Sequence, residues 1–115
     1  MDIVLWKAKV KAGKEALARE WLDFLKANKE AGEDTLKQEK EHLEIFFTNL
    51  ENGTMYLYMF VLADDLEYAA KVATSSGNPL DEKHFEYMAA CVDREACAQM
   101  EPELALGDFT VFRQK

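Results

Sequence analysis

Four short runs in this chain read as strands, and in each of them both alternating sets of side chains include large apolar residues. The runs are Ile3–Val10, Leu43–Thr48, Met55–Leu62 and Phe109–Phe112. Successive side chains on a strand point to opposite faces, so a strand with one wet face alternates apolar with polar. These runs therefore predict a sheet with two faces to bury. Helices on one side cover one face, and a second copy of the chain is the expected cover for the other. Four strands about 4.8 Å apart and about 20 Å long present roughly 400 Å². Tyr and Phe side chains push that towards the top of the ~300–600 Å² range of a monomer's largest apolar patch.

The remaining segments supply the helices. From Lys14, residues Leu17, Trp21, Phe24, Asn28, Ala31 and Thr35 recur at spacings of three and four, one stripe on one helix face. The stripe stays in phase across Gly32, so one helix is expected to about Lys40, bent at Ala31-Gly32. Asn52-Gly53 between the second and third strands is a strong hairpin signal, because both residues accept positive φ. Asp64–Thr74 has helical composition, Ser75 to Pro79 breaks the chain, and Asp81–Val92 is a second good helix. Residues 93–107 read as irregular. The order is β-α-β-β-α-β, a split βαβ or ferredoxin-like domain over residues 1–115. It implies a four-stranded antiparallel sheet with the main helices on one face, paired through the other face into a dimeric α+β barrel.

Composition narrows the partners. The 115 residues carry 22 acidic and 14 basic side chains, a net charge of −8. A nucleic-acid binder needs clustered Lys and Arg to displace counterions from phosphates, so neither nucleic acid nor an anionic membrane is an expected partner. The longest uncharged stretch, Asn52 to Ala63, is well short of the roughly 20 residues that span a bilayer. No basic leader precedes Ile3, and two cysteines make no disulfide framework, so a cytoplasmic location with free thiols is expected.

Few residues carry chemical signal. His84 lies early in the second main helix, one turn after Asp81, which either caps that helix or orients the imidazole. Asn28 interrupts an apolar stripe with an amide that needs partners. Tyr56, Tyr58, Phe60 and Leu62 share one strand face. They either line a pocket beside a desolvated Glu44 or form the dimer seam, and the seam is preferred. His84, Asn28 and Tyr58 are the catalytic candidates. Trp21, Glu44, Tyr56 and Tyr87 are the ligand-binding candidates. No Cys-x-x-Cys or His-Glu-x-x-His occurs, and neither a metal nor a cofactor is expected.

Four segments, in order, carry a family resemblance. They are Gly13-Lys14-Glu15, Trp21-Leu22-Asp23-Phe24-Leu25-Lys26-Ala27-Asn28, Tyr56-Leu57-Tyr58 and Asp81-x-Lys83-His84-x-Glu86-Tyr87-x-x-x-Cys91-Val92-Asp93. Together they resemble a bacterial family of short proteins of unknown function, similar to the dimeric α+β barrel superfamily. The resemblance implies the fold and no activity. The superfamily includes cofactor-free oxygenases and haem-degrading oxygenases, in which a histidine on the second helix ligates haem; His84 stands at that place. The first strand here has no Asn, and the third has tyrosines where those relatives have tryptophan. A small homodimer with a ligand-binding or non-catalytic role is the preferred expectation. An oxygenase-like enzyme or a haem-binding protein using His84 is the alternative.

Overall fold

The computed structural model describes residues 1–112. The elements run β1 (Asp2–Val10), α1 (Glu15–Ala27), α2 (Lys29–Glu39), β2 (Glu41–Glu51), β3 (Thr54–Ala63), α3 (Leu66–Ser75), α4 (Pro79–Cys91) and β4 (Val92–Met100). A short 3-10 turn follows at Phe109–Phe112. The four strands form one antiparallel sheet in the order β2-β3-β1-β4. This is the expected α+β, ferredoxin-like arrangement. Asn52 and Gly53 close the β2–β3 hairpin with φ of 54° and 80°, the left-handed pair that suits the twist of a tight hairpin.

Two elements differ from the sequence expectation. The fourth strand is Val92–Met100, and Phe109–Phe112 is a 3-10 turn capped by Asp108, whose carboxylate accepts from the Thr110 N–H and hydroxyl. The strand escapes sequence reading because it is an edge, exposed along nearly its whole length. Its residues therefore need no apolar alternation. Its backbone pairing with β1 makes it a strand, and the Lys11 N–H bond to the Cys91 carbonyl (2.7 Å) anchors its start.

The long first helix is likewise two. Asn28 has φ −115° and ψ 29°, outside the helical region, and its side-chain Nδ2 donates to the Phe24 carbonyl at 2.8 Å. An Asn side chain that bonds the backbone one turn back offers the chain an alternative to the helical ladder. The break thus falls four residues before Gly32, where the bend was expected. Gly32 itself sits within α2.

The helices lie on the sheet face that carries Val4, Val10, Leu57 and Val61. Helix α1 packs against α4, and α2 against α3. Two apolar clusters result. One gathers Val10, Ala18, Trp21, Met55, Leu57 and Cys91; a smaller one holds Val4, Val61 and Ala63.

The register places Ile3, Leu5, Leu43, Ile45, Phe60 and Leu62 on the opposite, open face. That face is not apolar throughout. Towards the β2–β3 hairpin it carries Lys7, Lys9, Asn49, Glu51, Tyr56 and Tyr58. Lys7 Nζ pairs with Glu51 Oε1 at 3.0 Å, lies 4.4 Å above the Tyr56 ring, and shares Glu51 with the Tyr58 hydroxyl, which donates to it.

Candidate functional site

Between the helices and the sheet lies a cavity of about 1280 Å³, bordered by residues from both apolar clusters. Its walls include Trp6, Trp21, Phe46, Leu57, Met59 and Met88. One end is polar. Glu39 closes α2 and Glu41 opens β2, with Lys40 in the left-handed conformation between them. Glu44 points from β2, and Asp81 and His84 from the first turns of α4; all five side chains border the cavity.

The carboxyls act on one another through their charges: Glu41 and Asp81 raise the proton affinity of Glu39, and Glu44 and Asp81 raise that of Glu41. Burial pushes the Glu44 carboxyl up to about 7, with the negative charge of Glu39 adding to it. Burial is the first cause that raises Glu39 and Glu41 too; Glu39 opposes part of the rise at Glu41, to which Glu44 and Asp81 add. The Thr35 hydroxyl donates to the Gly32 carbonyl at 2.7 Å, within α2. Among the described residues, none of the ion pairs includes these three glutamates.

His84 borders this acidic end. The Trp21 indole N–H donates to its Nδ1 at 2.9 Å, which ties α1 to α4. With Nδ1 accepting, the neutral ring carries its proton on Nε2. Burial lowers the His84 pKa, and Asp81 opposes that only in part, so the imidazole is neutral near pH 7. Asp81 is not the helix cap: Asn78 caps α4 by accepting from the Leu80 N–H, while Asp81 accepts from the Ser76 hydroxyl at 2.7 Å. Among the described residues, no group of three His, Cys, Asp or Glu side chains is arranged to hold a metal ion.

The structure brings Trp21, Asn28, Glu44 and His84 to the one cavity. It sends Tyr56 and Tyr58 to the open face, on the far side of the sheet from Glu44, because Glu44 pairs with Val61 and Tyr58 with Lys7 and Phe47. A pocket shared by the tyrosines and Glu44 is therefore ruled out by the register. Tyr87 lies against Phe24 and donates to Glu20 at 2.9 Å, outside the cavity. Glu39 and Glu41 were not singled out from sequence. Glu39 stands four residues after Thr35, in phase with the apolar stripe of the helix, and that phase is the signal that places it inward.

A family model for a family of unknown function, DUF6176, matches residues 1–110. The chain belongs to that family. No curated protein matches it. Three solved structures share the fold. Protein Atu4242 from Agrobacterium tumefaciens is 11% identical with a TM-score of 0.60, over 91% of this chain and 94% of that one. An uncharacterized NIPSNAP domain protein from Burkholderia xenovorans is 17% identical with a TM-score of 0.53, over 94% and 100%. An L-rhamnose mutarotase from Formosa agariphila is 16% identical with a TM-score of 0.50, over 94% and 99%. At these identities the likeness is one of fold alone. No described helix is long and apolar enough to cross a membrane.

Proposed function

We propose that this member of the family is a cytoplasmic homodimer that binds a small organic ligand in the cavity between sheet and helices. The observation that carries the reading is the polar end of an otherwise apolar cavity: Glu39, Glu41, Glu44 and Asp81 beside a neutral His84. Burying carboxyls costs stability, and a large apolar-walled cavity with a few convergent polar groups is the usual form of a ligand site. The fitting ligand has an apolar body, packed against Trp21, Phe46 and Met59, and a hydroxyl- or amine-bearing head. Carboxyls that keep a proton near neutral pH both donate and accept, so they suit such a head. Dimerisation is supported by the open face, whose Ile45 and Phe47 are exposed apolar side chains. Two free thiols, Cys91 and Cys97, fit a reducing compartment. Neither the family nor the three neighbours is described as an oxygenase or a haem protein, and those alternatives are not favoured.

Native mass spectrometry of protein purified directly from cells tests both parts. The expected species is twice the 13.2 kDa protomer, carrying a defined extra mass that Glu44→Ala removes. Bare wild-type protein, together with no thermal shift from any amine or polyol tested, would sink the ligand reading. A bare monomer would sink the dimer.

A further inference from the structure

We infer that the polar end of the cavity is the seat of an organic ammonium group, a ligand's primary amine held by Glu39, Glu41 and Glu44. The inference rests on the ligand reading above and narrows its head from hydroxyl or amine to a cation. Glu39 borders the cavity and is only 6% exposed. Among the described residues no Lys, Arg or His pairs with it, with Glu41 or with Glu44. The Thr35 hydroxyl, one turn back on α2, gives its proton to the Gly32 carbonyl. The charges that act on the three glutamates are all negative, their own and that of Asp81.

The basic residues of the cavity wall do not supply the missing charge. Lys26 and Lys37 reach Asp23 and Asp34 on their own helices. Lys29 and Arg94 are exposed, as are the acidic Glu33 and Glu67. His42 pairs with Asp64 at 2.7 Å, and buried His84 stays neutral near pH 7. Buried carboxyls without a counter-charge are costly, so this end lacks both donors and positive charge. A metal ion does not fit, because among the described residues no three His, Cys, Asp or Glu side chains are arranged to hold one. A hydroxyl offers one donor; an ammonium offers three, one for each glutamate, together with a positive charge. An alkylamine keeps its proton at pH 7, as lysine does. The Trp21, Phe46 and Phe85 rings stand round His84, with centroids 5.5, 6.4 and 5.4 Å away, so an apolar body packs beside the head. On binding, the ammonium takes the place of protons held by the carboxyls.

The test uses the full chain and matched probes in isothermal titration calorimetry. 2-Phenylethylamine, tryptamine and hexylamine are each compared with the alcohol of the same skeleton: 2-phenylethanol, tryptophol and hexanol. At pH 8 an amine should bind roughly tenfold or more tightly than its alcohol. Its Kd should fall about tenfold from pH 6 to pH 8, as Glu44, at about 7, passes from mostly protonated to mostly ionised. Titrations at pH 7 in two buffers of different ionisation enthalpy should show proton release with the amine. Glu39→Gln/Glu44→Gln keeps the side-chain shapes and should erase the preference for amine. Glu30→Gln, which removes an exposed α2 carboxylate away from the cavity wall, should leave it intact. The wild-type comparison of amine with alcohol stands whether or not the double variant folds. Alcohols that bind as tightly as their amines would overturn the inference and leave the ligand reading standing. An amine preference that survives in a folded double variant would place the cation elsewhere and overturn it too. Wild-type protein that takes up none of the amines would also overturn it; if that protein is bare from cells and takes up no polyol, the ligand reading falls with it.

Discussion

At the residue scale, the Trp21–His84 bond is where structure and candidate chemistry meet. Trp21 is 1% exposed, so its indole N–H has no access to water, and His84 Nδ1 is its acceptor. His84→Leu leaves that donor unsatisfied and should cost about 1–3 kcal/mol in urea denaturation. Adding Trp21→Phe to the same chain removes the orphaned donor and should recover part of the loss. No recovery in the double variant would mean that the histidine acts through packing alone. Glu44 makes a second prediction. Its folded-state pKa of about 7 lies above its ordinary 4.5, so between those values the folded state holds more protons than the unfolded one. That contribution is fully present below about pH 4.5 and is lost as pH rises through about 7; Glu39 and Glu41, raised in the same direction, extend the loss to higher pH. Below pH 6.5 the lowered His84 pKa acts in the opposite sense, so the fall in melting temperature should show between about pH 6.5 and pH 8. Glu44→Gln, which carries no titrating proton, should flatten that fall.

At the scale of elements, local chemistry sets the boundaries. Asp65 caps α3 by accepting from the N–H groups of Glu67 and Tyr68, so Asp65→Ala should cost about 1 kcal/mol. Gly53 holds φ of 80° with open space where a Cβ would stand. Gly53→Ala should therefore cost about 1 kcal/mol through backbone strain alone, measured by the same denaturation. The hairpin was legible because Asn-Gly at a turn has a local cause. The break at Asn28 was not, because the helical period of the apolar stripe runs through it unchanged. What ends α1 is one side chain bonding one carbonyl, a contact that periodicity does not encode. Strand β4 was illegible for the opposite reason: it buries almost nothing, so hydropathy leaves no trace of it.

At the scale of the whole molecule, the open sheet face governs assembly. Phe47 is 53% exposed on that face, so Phe47→Glu should spare the protomer's fold and shift the protein to monomer at micromolar concentration. Size-exclusion chromatography with light scattering reads the outcome, and an unchanged mass would move the interface elsewhere. At the end of the sheet where Ile3, Leu43 and Leu62 lie, Leu62 is buried and Ile3 and Leu43 are half-buried. The expectation of two buried faces does not hold at the hairpin end, where Lys7, Glu51 and Tyr58 form a polar network.

Sequence by itself determined the first three strands, the hairpin between two of them and the inward place of Trp21. Periodicity and turn chemistry carry those, and each is a local property. Tertiary structure alone decided that Glu39, Glu41 and Glu44 meet Asp81 and His84. These five residues come from α2, β2 and α4, and only the packing of helices on the sheet brings them together. It also decided that Tyr58 and Glu44 face opposite ways, since that follows from strand register. Register is set by pairing across the sheet, a long-range choice that no single strand records.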